Sequence, residues 1–440
     1  MAINEIYESV KEYVWQLERN KEMHLINPEK DFTRHRKISF SDCVMSVLCM
    51  SGGTLFSEIL EYFSDKTDLP SVSAYLQQRA KIKYSAFEQL FRSTVNLTDN
   101  NHLYHGYRLF AADGSEIQIP TNPMDEDTYY PGSNGQKPYN LIHLNAIYDI
   151  TTNTYQDVFI QGSRHCAEHE ALNHMIERSC VSKAIIIADR GYESYNVMAH
   201  IKEKGWKYLI RVKDIGGNGI VSRLDLPSSD EYDIDIDLQI TRKVSNKTKK
   251  LFEDRNHYRY APPNSKLDFL PPHSNHKEDA VFYRLPFRVV RFKITENQYE
   301  TIVTNLDKYE FTPAELKKLY AMRWGIETSF RTLKYNIGVI YFNSWKKELV
   351  MQEVFARLAL FNITASIACE PRKHISNKNY SYKVNVAKVI LICRKLFLNR
   401  ISPHYAQRLI STSVVPIRNE RSFKRKTKPR IAINFIYRIA

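Results

Sequence analysis

Tyr320, Arg323, Glu327 and Lys334 follow one another with two, three and six residues between them. On a continuous helix Arg323 and Glu327 are i, i+4 neighbours, and all four share one broad face. That face carries polar groups where a core-packed helix would show Leu and Ile. Two further carboxylates close apolar runs: Asp113 follows Leu109-Phe110-Ala111-Ala112, and Asp189 follows Ala184-Ile185-Ile186-Ile187-Ala188. Hydrolysing a phosphodiester without a covalent intermediate needs an activated water and stabilised oxyanions on both sides of phosphorus. Two divalent cations about 3.5–4 Å apart supply both. Hard, octahedral Mg²⁺ takes oxygen ligands, so a cluster of carboxylates is its expected cradle. Arg323 would grip a phosphate through bidentate bonds and Lys334 as a point charge. Tyr320 would donate its hydroxyl to another phosphate oxygen.

The Tyr320–Arg323–Glu327–Lys334 spacing resembles the Y-(2)-R-(3)-E-(6)-K signature of DDE transposases of the insertion sequence 4 type. The first two acids stand in similar surroundings to the family's, Ala112-Asp113-Gly114-Ser115 and Ala188-Asp189-Arg190-Gly191-Tyr192. The resemblance spans about residues 105 to 340 and is weak outside them. It implies a bacterial insertion-sequence transposase, a metal-dependent DNA nuclease and strand-transferase with Asp113, Asp189 and Glu327 as catalytic residues and ligands of Mg²⁺ or Mn²⁺. Such enzymes cut at transposon ends and join the freed 3′-hydroxyl to target DNA. The implied partners are double-stranded terminal inverted repeats and target DNA, bound by a homodimer on paired ends. Trp324 occupies a place where similar proteins carry a tryptophan close to the transposon end; its indole either stacks a displaced base or packs in the core. Two alternatives differ in outcome. A nuclease or resolvase of similar core would yield no joined products, and a catalytically silent transposase-derived DNA-binding protein would show no Mg²⁺-dependent nicking.

The elements that must position these residues are legible in the hydrophobic pattern. Strands are expected at 109–113, 141–150 and 155–161, a helix at 167–178, a strand at 184–188, a helix from Ser194 to Gly205 and a strand at 206–212. Three strands, a helix, a strand, a helix and a strand is the order of a ribonuclease H-like core. An acid at the end of each of two neighbouring strands puts both at one sheet edge, where open α/β sheets do chemistry. Thr312-Pro313-Ala314-Glu315 opens the helix of the third acid with a capping box. Between second and third acids, alternating runs punctuated by Pro262-Pro263 and Pro271-Pro272 predict a β-rich insertion. The expected fold is therefore α/β: residues 105–213 and 307–345 form the core, 214–306 the insertion, 1–104 a helical DNA-binding region and 346–440 a basic helical region.

In the first region Ser39–Met50, Thr54–Phe63 and a helix capped by Ser71 flank tight turns, with Arg34, Arg36, Lys37, Arg79, Lys81 and Lys83 as basic groups. Short helices of this kind suit a helix-turn-helix-like unit; the plain alternative is a solvated basic face. Leu349 to Ile367 is an apolar helical stretch expected to pack or dimerise, and 421–426 is the densest part of a basic tail. Lys and Arg exceed Asp and Glu by 63 to 49, which favours polyanionic partners. Several tempting clusters are set aside. His165 and His169 are i, i+4, but no glutamate follows His165, and with His174 they read as a polar helix face. Asp233, Asp235 and Asp237 alternate onto one solvated strand face, and Glu116, Asp149 and Asp157 are strand-turn acids. Six cysteines include no C-x-x-C pair and make no disulfide framework. The acidic amino terminus is not a signal peptide, and no run approaches the ~20 apolar residues that span a bilayer. A cytoplasmic, nucleoid-associated protein without a membrane segment is expected.

Overall fold

A computed structural model of the chain describes residues 2–34, 36–65, 68–98, 103–133, 135–214, 216–272, 279–296, 298–369 and 382–416. Five helices come first: α1 (Ile3–Arg19), α2 (Phe40–Cys49), α3 (Leu55–Phe63), α4 (Val72–Arg79) and α5 (Ser85–Thr94). Ser39, Thr54 and Ser71 cap α2, α3 and α4, each accepting from the backbone N–H three residues on. The sheet begins with β1 (Arg108–Ile119), β2 (Tyr129–Tyr130), β3 (Tyr139–Asp149) and β4 (Thr154–Gly162). Then α6 (Glu168–Arg178), β5 (Ala184–Ala188), α7 (Tyr195–Glu203) and β6 (Lys207–Val212) alternate, as the sequence pattern predicts.

The region expected as an insertion contains β7 (Tyr232–Thr241), the short α8 (Asn246–Leu251), β8 (Tyr258–Tyr260), β9 (Tyr283–Thr295) and β10 (Gln298–Thr304). It does not stand apart from the core. β10 pairs antiparallel with β6, and the sheet runs on as β2-β3-β1-β5-β6-β10-β9-β7-β8, with β4 also paired to β3. Alternation indeed puts Asp233, Asp235 and Asp237 on one face, where Arg288, Lys308 and Arg284 pair with them. After the sheet come α9 (Pro313–Met322), α10 (Trp324–Arg331), one π-helical stretch (Thr332–Ile337), and α11 (Lys347–Ala368). A small hairpin of β11 (Tyr382–Val384) and β12 (Val414–Pro416) encloses α12 (Val386–Phe397) and α13 (Pro403–Thr412). The basic run 421–426 lies outside the described residues.

Both faces of the central strands are covered, which is why β5 is an uninterrupted apolar run rather than an alternating one. Ala184, Ile186 and Ala188 pack with Phe110, Ala112, Leu172 and Met175 on the α6–α7 side. Ile185 and Ile187 pack with Leu109, Leu316 and Leu319 of α9 on the other. Farther along that second side, Ala111, Ala146 and Tyr148 join Ile326 and Phe330 of α10 and the helices around α11.

The two helical ends of the chain are one unit. α11 is buried almost all round, between α5 and α2 from the amino-terminal region and α12 from the carboxy-terminal one. It is pinned by polar groups: Asn362 exchanges both amide bonds with the Tyr155 backbone of β4 at 2.8 and 2.9 Å. Arg79, expected on a basic DNA-facing surface, is instead 0% exposed and bonds Gln352 and Glu353 of α11, the latter at 3.0 Å. Desolvating a guanidinium is tolerable only with such partners, so this arginine cannot serve DNA. Among the described residues no helix is long and apolar enough to cross a membrane.

Candidate functional site

β1 and β5 run parallel, with Ala112 opposite Ala188 as the last pair. Asp113 and Asp189 are each one residue beyond that pair, so register alone sets them side by side, strands being about 4.8 Å apart. The expectation that β1 ends at Asp113 is corrected: the strand continues to Ile119 against β3. What ends there is its neighbour β5, and the gap exposes one flank of β1. Because side chains alternate, Asp113 shares the face of Leu109 and Ala111, toward α9 and α10.

Glu327 comes to the same face from α10. Thr312 accepts from Glu315 N–H, and Glu315 returns a bond to Thr312 N–H, the capping box that starts α9. The expected continuous helix has a one-residue tightening at Arg323, where backbone bonds run Arg323 to Tyr320 and Ile326 to Arg323 at 3.1 Å. Arg323 keeps helical dihedrals, so the i, i+4 relation survives. Ile326 and Phe330 anchor α10 in the core, and Ser329 hydrogen-bonds the Tyr155 hydroxyl at 2.8 Å. This leaves Glu327 half-buried at the sheet surface.

Arg323 links the acids. Its Nη2 donates to Glu327 Oε1 at 2.8 Å, and its Nη1 lies 3.7 Å from Asp113 Oδ2. Only 7% exposed, its guanidinium lies over the Tyr320 and Trp324 rings at 5.8 and 5.6 Å. Arg323 therefore holds two carboxylates here, where the sequence reading expected it to grip a phosphate. Tyr320 also departs from expectation: it is 6% exposed, packed in the α9 core with its hydroxyl buried, and burial raises its pKa. Lys334 lies on the π-helical stretch, partly buried, and burial lowers its pKa. Trp324 is 53% exposed, so the core-packing alternative is excluded.

Burial pushes the Asp113 carboxyl up to about 6. The Gly114 N–H opposes that shift at 2.8 Å, the Asp189 charge adds to it, Arg323 opposes it, and Glu327 adds to it. Asp189 Oδ1 accepts from Gly191 N–H at 2.8 Å, which turns the chain away from the strand. Carboxylates without a cation repel each other, and these three are not drawn to within 4.8 Å of one another as a ready chelate. Their chemistry still fits hard divalent ions: an all-oxygen donor set, a carboxyl held far above its usual range, and one arginine shared by two acids.

The decoys behave structurally. Asp149 is buried against Arg108, and Asp157 pairs with Arg92 and Arg178. His165 closes a short 3₁₀ turn before α6, so it does not share a helix face with His169, whose Nε2 meets Gly191 O at 2.6 Å. One feature was missed from sequence. A cavity of about 620 Å³ opens beside Arg190 and Gly191, with Lys213, Arg223, Arg259 and Lys266 in its wall. Together with Arg190 those bases are scattered over 77 residues, and no spacing rule joins them.

Similar solved structures include a piggyBac transposase synaptic complex with hairpin DNA, 9% identical, covering 97% of this chain and 87% of that one with a TM-score of 0.45. No curated protein sequence matches the chain. The model of one family, described as the transposase DDE domain, matches residues 104–363, a span that holds the whole sheet and all three acids. The chain belongs to the DDE-domain transposases.

Proposed function

We propose that this transposase has a ribonuclease H-like core of the insertion sequence 4 type and cuts transposon ends, then joins the 3′-hydroxyl to target DNA. The observation that supports this is that β-strand register sets Asp113 beside Asp189 while Arg323 ties Asp113 to Glu327. Asp113, Asp189 and Glu327 would hold Mg²⁺ or Mn²⁺. Bound there, a cation pair supplies an activated oxygen nucleophile and stabilises the attacking and leaving oxygens.

The chain's own groups do the rest. Arg323 offsets the repulsion between the half-buried Asp113 and Glu327 and fixes the rotamer of Glu327. Lys334 and the bases beside Arg190 would position phosphates without reading sequence. Trp324, exposed one residue from Arg323, would stack a base released at the cut. Double-stranded terminal repeats and target DNA are the proposed partners, held by a homodimer on paired ends, in the cytoplasm with the nucleoid. The amino-terminal helices would contribute DNA contacts from Arg34, Arg36, Lys37, Lys81 and Lys83, not from Arg79.

The test is Glu327→Gln, incubated with labelled transposon-end DNA and Mg²⁺. Cleavage should vanish while binding persists. Parental nicking by the variant overturns the assignment. Joined products in the wild type separate a transposase from a nuclease without strand transfer, and absence of any metal-dependent nicking points to a silent DNA-binding protein.

A further inference from the structure

On the opposite, α6 face of the sheet, three side chains of different chemistry converge. His143 comes from β3, Cys166 from the segment after β4, and Glu168 is the first residue of α6. One ligand atom from each lies within 4.8 Å of the other two. His143 is 9% exposed, and its Nε2 faces Glu168 Oε1 at 3.0 Å. The backbone makes room for them: a Cβ at Gly114 would come within 2.2 Å of His143 Nε2 and 2.9 Å of Glu168 Oε1. The trio opens into a cavity of about 570 Å³ that Glu116 and Lys266 also line, so a solvent molecule has access to a fourth position.

Imidazole, thiolate and carboxylate together suit Zn²⁺ and not Mg²⁺, which avoids sulfur. Zinc bonds of about 2.0–2.3 Å in a tetrahedron set donors roughly 3.3–3.8 Å apart, within side-chain rotation of the observed cluster. We propose that His143, Cys166 and Glu168 form a Zn²⁺ site with an open fourth position, separate from the three acids. On binding, the Cys166 thiol releases its proton to solvent as the sulfur–metal bond forms, and His143 enters as the neutral imidazole. The site staples the start of α6 to β3. His169, next to Glu168, already holds Gly191 O, two residues past Asp189. Metal at Glu168 thus restrains the turn that carries Asp189.

Co²⁺, a coloured stand-in for Zn²⁺, tests this on the full-length protein. One equivalent should give a thiolate-to-cobalt charge-transfer band and tetrahedral visible bands, bleached by Zn²⁺ and untouched by excess Mg²⁺. Cys166→Ser and His143→Ala should each lose the charge-transfer band, and Glu327→Gln should keep it. Thermal unfolding in EDTA checks that Cys166→Ser, altered at a half-buried position, still folds. No band in the wild type at one equivalent overturns the site. So does an undiminished band in Cys166→Ser, which would come from exposed Cys180 or Cys369.

Discussion

Arg323 spends its buried guanidinium on Glu327, donating to Oε1 at 2.8 Å across one helical turn, with Asp113 3.7 Å from its other terminal nitrogen. In the metal-free protein it is the cation of the site. Arg323→Ala should therefore lower stability by about 1–3 kcal/mol, less than a fully buried pair because Glu327 is 32% exposed. Mg²⁺ should then raise the thermal midpoint of the variant more than that of the wild type. Equal metal-induced shifts in the two proteins would show that Arg323 and the metal do not serve the same carboxylates.

The Asp113 carboxyl, held at about 6 against about 3.9 in an unfolded chain, binds more protons folded than unfolded. The contribution of Asp113 to stability should then fall as pH rises from about 4 through 6, by on the order of 2 kcal/mol. In EDTA, Asp113→Asn should remove that decline and be more stable than the wild type at pH 8, with the difference shrinking toward pH 4. Denaturant midpoints at the two pH values check it. Divalent cations need the ionised acid, so metal affinity should drop below pH 6.

Trp324 tests the stacking role without disturbing the core. Being half-exposed, Trp324→Ala should leave the thermal midpoint within about 1 °C of the wild type, as surface changes do. Strand cleavage at a transposon end should slow by an amount equivalent to roughly 1–3 kcal/mol. An abasic nucleotide at the end should remove the difference between the two proteins; if it does not, the indole does not act on that base.

Arg79 separates a structural arginine from a DNA-binding one. Arg79→Ala leaves Glu353, 0% exposed, with Arg357 as its arginine partner at 3.2 Å but deprives Gln352 Oε1 and Leu349 O of their donor, and should cost about 1–3 kcal/mol. DNA affinity of the fraction still folded, and its salt dependence, should stay as in the wild type. Lys81→Ala should do the reverse. Chemical denaturation and a salt titration of binding measure both.

Gly114→Ala bears on the α6 face alone. The added methyl collides with His143 and Glu168. It should destabilise by about 1–3 kcal/mol, the ordinary range for overpacking. Placing the Glu168→Ala change beside it should recover part of the loss, which a double-mutant cycle would read.

The sequence by itself determined the elements and singled out Asp113, Asp189 and Glu327 as the acids proposed for the site. Periodicity located β1, β3, β4, α6, β5, α7 and β6, because strand and helix repeats are written in local side-chain order. Capping residues located α9, and a four-residue spacing singled out Glu327. Tertiary structure decided how those pieces meet. No local pattern says that β10 lies against β6, so only the fold shows that the strands within 214–306 continue the core's sheet. Nor does charge reveal depth: Arg79 and Arg323 read as DNA ligands, and only packing against Glu353 and Glu327 makes them internal counter-ions. Pairing of β3 with β4 and the packing of α6 on the sheet depend on the whole chain, and that is why His143 meets Cys166 and Glu168 only in the folded protein.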